Sequence, residues 1–203
     1  MSLDRRSVVP SARIWVLGGA LLLLLGLVGL AQRIWRENQP QEAYVLPYSP
    51  DPLVRALDSY DLRKAMRLIQ SGAYVNTRSH SGNTALDLAA GLGSTELVEL
   101  CLSRRANVET RADDGFTPLL AAANAGSEER VQLLIDHGAD ADNPLPDGRT
   151  PLMLAAQGDH REVVELLLRA NARTDLKTNE GETALDYARK AKNRTLITLL
   201  SKR

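Results

Sequence analysis

Apolar residues run along this chain in two contrasting patterns. From Ile14 to Ala31 they form one unbroken stretch, IWVLGGALLLLLGLVGLA, without a charge. Beyond Asp51 they come in short clusters at helical spacing: Leu97, Val98, Leu100 and Cys101, then Val131, Leu133, Leu134 and Ile135, then Val163, Val164, Leu166 and Leu167. Each cluster reads as the buried stripe of a short amphipathic helix. Ahead of each lies an alanine-rich segment, Leu88-Ala89-Ala90, Ala121-Ala122-Ala123 or Leu154-Ala155-Ala156, whose small side chains let neighbouring helices approach closely. The second pattern predicts stacked pairs of short helices, and the first a single long helix apart from them.

The long stretch is 18 residues, which at the helical rise spans about 27 Å, close to the hydrocarbon thickness of a bilayer. Trp15 and Trp35 fall about 30 Å apart along such a helix, one at each interface, where amphipathic rings are favoured. Residues 1–13 then read as a short basic cytoplasmic tail and residues 14–35 as a transmembrane signal-anchor helix. A cleaved secretory signal is the competing reading, because Arg5, Arg6 and Arg13 precede the run and Gly29-Leu30-Ala31 places small residues where a peptidase cuts. The length of the run, and Arg33, Trp35 and Arg36 directly behind it, favour retention. Three arginines before the run against two after it place the repeats outside the cytoplasm, on the periplasmic side of an inner (plasma) membrane. Residues 36–50, with prolines at 40, 47 and 50, read as a linker. Extended, it reaches up to roughly 40 Å at polyproline-like spacing.

The stacked helices repeat with a strict period. Thr84, Thr117, Thr150 and Thr183 are each 33 residues apart, and Gly82, Gly115, Gly148 and Gly181 keep the same register, as do Ala73, Ala106, Ala139 and Ala172 and the leucines 86, 119, 152 and 185. Glycine two residues before threonine permits a positive φ in a tight turn, and the threonine hydroxyl is placed to cap the next helix. Pro118 and Pro151 follow at the first helical position, where a missing N–H is no loss.

A unit of this length with a Gly-x-Thr-Pro-Leu start, an alanine turn and a Gly138-Ala139 stop resembles the ankyrin repeat, from about Asp51 to Arg203. The resemblance implies an all-α ankyrin-repeat solenoid of helix-turn-helix units with projecting hairpins, here preceded by one transmembrane helix, and a concave protein-recognition surface. It divides residues 51–203 into an N-terminal cap (51–76), full repeats at 77–109, 110–142 and 143–175, and a C-terminal cap (176–203). Ala85 and Ala184 replace the family's proline, Asp87, Leu120, Met153 and Asp186 its histidine, and Asp159 a helix-linking glycine.

Charge and composition narrow the function. Arg5, Arg6, Arg13, Arg33 and Arg36 against Asp4 leave 20 basic and 24 acidic residues beyond position 36, a weakly acidic body that does not suit nucleic acid. Cys101 is the only cysteine, so no internal disulfide forms, and its place in an apolar stripe marks it as core rather than nucleophile. His80, His137 and His160 lie in different units, held about 10 Å apart in a stack, so they do not converge on a metal. Asp113-Asp114 and Glu128-Glu129 read as a solvated hairpin tip and a helix start. No phosphate loop, nucleophile elbow or His-Glu-x-x-His motif is present. The sequence thus points to no enzyme, no cofactor and no small-molecule substrate.

The resemblance implies that partner-binding side chains lie at the hairpin tips, before the threonine, and at the exposed end of the first helix. These are Arg78, His80, Arg111, Asp113, Pro146, Lys177 and Asn179 at the tips and their flanks, Asn83, Phe116, Arg149 and Glu182 before the threonine, and Leu92, Asn124, Gln157 and Lys190 on the first helices. Phe116 stands where every other unit has a polar residue, either as an anchor for a partner's pocket or as a cover for the neighbouring hairpin. Arg149, one unit on, is placed to meet a partner carboxylate. The expected function is a membrane-tethered adaptor for a protein client, in the manner of an accessory or immunity factor for an envelope protein or toxin. A secreted form released by signal cleavage, or a membrane-surface protein using the basic C-terminus (Arg189, Lys190, Lys192, Arg194, Lys202, Arg203), are the alternatives.

Overall fold

The computed structural model describes residues 51–201. The expected tail, membrane helix and linker over residues 1–50 lie outside them, as do Lys202 and Arg203. Among the described residues no helix is long and apolar enough to cross a membrane.

Ten α-helices and no strand occupy the described residues. They fall into five pairs: α1 (Pro52–Asp58) with α2 (Leu62–Gln70), α3 (Ala85–Leu92) with α4 (Thr95–Ser103), α5 (Pro118–Asn124) with α6 (Glu128–Asp136), α7 (Pro151–Gln157) with α8 (Arg161–Arg169), and α9 (Ala184–Lys190) with α10 (Arg194–Leu200). First helices pack on first helices, α3 on α5, α5 on α7 and α7 on α9, while α2, α4, α6 and α8 form a parallel row behind them. This two-row stack is a solenoid, each unit contacting its neighbours in the chain.

The starts of the first helices follow from their residues. Thr84, Thr117, Thr150 and Thr183 are extended N-caps whose side chains accept the backbone N–H three residues on. Pro118 and Pro151 occupy the first turn, as their lack of a donor allows. Asp51, Pro52 and Leu53 repeat this start in the N-terminal unit, with the Asp51 carboxylate accepting from Leu53 N at 2.7 Å. In α3 and α9 aspartate completes a capping box, Asp87 with Thr84 and Asp186 with Thr183. These two departures from the family histidine thus have local work at the helix start.

Between units the chain makes tight turns rather than strands. Ser79 N donates to Asn83 O and Gly82 N to Ser79 O, and the same pair recurs at Ala112 and Phe116, Leu145 and Arg149, and Thr178 and Glu182. A second periodic device ties each of the first four units to the next within that group. Asn76, Glu109 and Asp142 accept the backbone N–H groups of Asn107, Asp140 and Arg173, each at 2.8 Å.

Leucine, valine and alanine fill the core, from Leu53 and Ala65 through Leu97, Val131 and Leu167 to Leu196 and Leu200. Cys101 is fully buried within it, and burial, with the nearby Asp87 charge, pushes its thiol up to about 12. That thiol is neutral at physiological pH and has no nucleophilic character.

Candidate protein-binding surface

The hairpin turns and the ends of the first helices make one continuous face, and most of the side chains expected to meet a partner sit on it. Several are already engaged within the stack. Arg78 Nε donates to Gly82 O at 2.9 Å and its Nη2 to Arg111 O in the next turn. Arg111 repeats this 33 residues on, with Nη1 donating to Gly115 O at 2.6 Å and Pro144 O at 2.9 Å and Nη2 to the Asn143 side chain. Both arginines are struts between turns, a role that guanidinium donors fill readily beside unpaired carbonyls. Arg149, expected to seek a partner carboxylate, has one in its own turn: Nε donates to Asp147 Oδ2 at 2.7 Å. The Arg149 backbone N–H, opposed by slight burial and aided by the guanidinium, holds the Asp147 carboxyl below its ordinary value.

His80 is committed to the N-terminal unit, its backbone N–H donating to Asp58 Oδ1 at 2.9 Å and its Nδ1 lying 2.6 Å from Oδ2. A carboxylate only accepts, so the proton sits on Nδ1. Burial works against the Asp58 charge, yet the His80 backbone and ring hold its carboxyl below the ordinary value. Glu182 pairs with Lys190 Nζ at 2.5 Å, and Asn179 Nδ2 donates to Pro146 O at 3.3 Å. Asp113 and Pro146 lie against Gly82 and Gly115 of the preceding turns, leaving no room there for a side chain. Gln157 is exposed at the end of α7.

A different group comes together in a cleft on this face. Tyr60, Asn83, Leu92, Asp114, Phe116 and Asn124 line a cleft of about 260 Å³, floored by Asp87, Leu88, Gly91, Ala121 and Ala125. Phe116 packs on Leu120, Leu145 and Leu154, covering the neighbouring hairpin, and its remaining surface faces the cleft. Asn124 O accepts from His160 Nε2 at 3.2 Å, so the ring of His160 steadies one wall. Asp87 lies in the floor with both oxygens used, Oδ2 by Thr84 and Oδ1 by Thr110 at 2.9 Å, and burial pushes its carboxyl above the ordinary value against those hydrogen bonds.

Tyr60 and Arg130 were not among the expected residues. Tyr60 holds a left-handed φ of 56° at the position that is Gly93, Gly126, Asp159 and Lys192 in the other units. A bulky residue there is strained, yet Tyr60 is 59% exposed. Arg130 is 8% exposed, in a register that holds Leu97, Val163 and Leu196 in three other units and an exposed Lys64 in the N-terminal one. The cause lies in α3. In the other units the residue at the left-handed link donates to the carbonyl three before it, Tyr60 to Leu57, Gly126 to Ala123, Asp159 to Ala156 and Lys192 to Arg189. Gly93 donates instead to Ala89 O, so α3 runs one residue longer than the other first helices and no backbone N–H takes Ala90 O. Arg130 Nη1 reaches across from α6 to fill it, and burial lowers the guanidinium's pKa against the pull of Glu129. The longer α3 carries Leu92 out to the cleft, 58% exposed. A comparison of registers between units is the signal that finds both residues.

Among the described residues no group of His, Cys, Asp and Glu is placed to hold a metal ion. The sequence has no match among curated proteins. A family model described as ankyrin repeats (3 copies) matches residues 53–144 and 121–203, the whole of the stack of helix pairs. The threonine-capped first helices, the tight turns between units and this match together establish that the chain belongs to the ankyrin-repeat family, whose repeats serve as protein–protein interaction modules.

Proposed function

We propose that this protein is a membrane-tethered adaptor that holds a client protein against the turn-bearing face of its repeats. In this reading residues 14–35 cross the inner membrane once, residues 36–50 are the spacer, and the repeats stand on the periplasmic side. The uncharged run from Ile14 to Ala31, flanked by tryptophan and arginine, supports the tether. The cleft carries the binding half of the reading. Exposed Tyr60 and Leu92 and part of Phe116 meet there, an apolar surface that the stack itself has no need to expose. No catalytic step is assigned to any residue, and a client such as a toxin or an envelope enzyme fits an accessory or immunity role.

The basic C-terminus supports a membrane-surface role less well. Arg189 pairs with Asp186 at 3.0 Å and Lys190 with Glu182 at 2.5 Å, which removes two of its cations from duty toward anionic lipid.

In-cell crosslinking of the full-length chain tests the proposal. A single stoichiometric partner is expected with the native chain, and several-fold less of it with Leu92→Ala combined with Phe116→Ala. The same crosslinks at the same yield from the double variant would remove the cleft as the binding site, and a mature N-terminus beginning beyond Ala31 would remove the tether.

A further inference from the structure

In a repeat protein each unit is a control for the others, because the same register position faces the same requirement of the stack. Three departures toward large apolar residues stand out by this test. Tyr60 takes the place of Gly93, Gly126, Asp159 and Lys192; Leu92 that of Ala125, Gly158 and Ala191; Phe116 that of Asn83, Arg149 and Glu182. They occupy three different register positions, yet all three line the same cleft. Of the large apolar residues exposed among the described residues, Tyr60, Leu92 and Tyr74, two lie here.

The electrostatics of the cleft depart in the same place. Asp147, in the register of Asp114, is neutralised by Arg149 two residues on. The residue two beyond Asp114 is Phe116, which offers its backbone N–H to Oδ1 at 3.1 Å but no charge. Among the described residues no ion pair engages Asp114 or the adjacent Asp113, and no lysine, arginine or histidine lines the cleft. Exchanging the arginine of one unit for the phenylalanine of another thus gives the cleft an apolar wall and an unneutralised carboxylate together.

We infer that the cleft takes, from an extended segment of the client, a bulky apolar side chain with a lysine or arginine next to it. The apolar group lies against Tyr60, Leu92 and Phe116, and the cation meets Asp114, supplying the charge that Arg149 supplies to Asp147. At about 260 Å³ the space suits side chains of a peptide, falling below the roughly 300–1,000 Å³ of small-molecule pockets. An acidic or phosphorylated segment is disfavoured, since it would face Asp114 with no cation to receive it. The inference rests on the protein-binding reading proposed above and names the chemistry of the partner.

The test is selection of a random-peptide display library on the purified full-length chain. Enriched peptides are expected to pair a large apolar residue with an adjacent lysine or arginine, and to bind more weakly as salt rises. For one such peptide, Asp114→Asn is expected to weaken binding about tenfold, as is Phe116→Arg, which restores the arrangement of Arg149 and Asp147. Tyr60→Asn removes the ring but tolerates the left-handed backbone, so it is expected to weaken binding while leaving the thermal midpoint unchanged or higher, a result that loss of folding cannot mimic. Enrichment without a preference for basic residues, or affinity unaffected by Asp114→Asn and Phe116→Arg, overturns the inference. If such peptides lose affinity instead with Gln157→Ala or Asn179→Ala, the client binds the same face elsewhere, and the adaptor reading stands without this cleft.

Discussion

Replacing Gly148 with alanine is expected to lower the unfolding free energy by about 2–5 kcal/mol, the sum of a left-handed backbone penalty of about 1–2 and an overpacking penalty of about 1–3. Its φ is 89°, and a Cβ there would lie 2.8 Å from Thr178 Cα and 3.2 Å from both Asn179 N and Lys177 O. These are backbone atoms of the next turn, which no rotamer change moves aside. Gly181 provides the internal control: its φ is 82°, but a Cβ there meets nothing within 4 Å, because no further turn follows among the described residues. Gly181→Ala therefore carries only the backbone penalty, about 1–2 kcal/mol. In a stack of units the excess falls on one interface, so Gly148→Ala should also release α9 and α10 before the rest. Urea unfolding followed by circular dichroism gives both numbers, and equal losses for the two variants would mean that successive turns do not pack on one another.

Arg130→Leu is expected to destabilise the protein by about 1–3 kcal/mol, the penalty of a buried carbonyl left without its donor, although leucine is the residue found in that register at 97 and 196. Exchanging a buried charge for an apolar side chain is often neutral or favourable, because desolvation of the charge is avoided. Here the sign is decided by Ala90 O, which Arg130 Nη1 serves and no backbone N–H does. The cation also sits at the C-terminal end of α3, where the helix dipole favours it. Loss of Arg130 should fray the turn that presents Leu92, so client binding should weaken along with stability. A variant as stable as the native protein would show that α3 recaps itself as the other first helices do.

Most of the fold was legible in the sequence, because the residues that define it act locally. Threonine caps the helix three residues ahead, proline fits the first turn, and glycine allows the turn between units, so a fixed period fixes the same local structure each time. What escaped was whatever acts across units. Asn76, Glu109 and Asp142 look like ordinary polar loop residues until the loop of the next unit is placed against them. Arg130 looks like the polar face of a helix until α3 is seen to end one residue late.

The same distinction divides the expected binding residues. Asn83, Phe116 and Asn124 lie at the cleft, where short or rigid side chains leave surface for a partner. Arg78, Arg111, Arg149 and His80, all donors, found acceptors within the stack, since turns present carbonyls and carboxylates within their reach. Tyr60 was missed for a simpler reason. The N-terminal unit lacks the glycine and threonine that set the register, so its sequence alone does not align Tyr60 with Gly93, Gly126, Asp159 and Lys192.

The central claim, that the client is held at the cleft, is tested most directly by hydrogen–deuterium exchange of the full-length chain with and without its crosslinked client. Protection is expected at the end of α3, around Gly91 to Ser94, and in the turn from Asp113 to Phe116, with little change in α8 and α10. Protection confined to α8, α10 and the basic C-terminal residues, with the α3 end and the Phe116 turn exchanging as before, would contradict it.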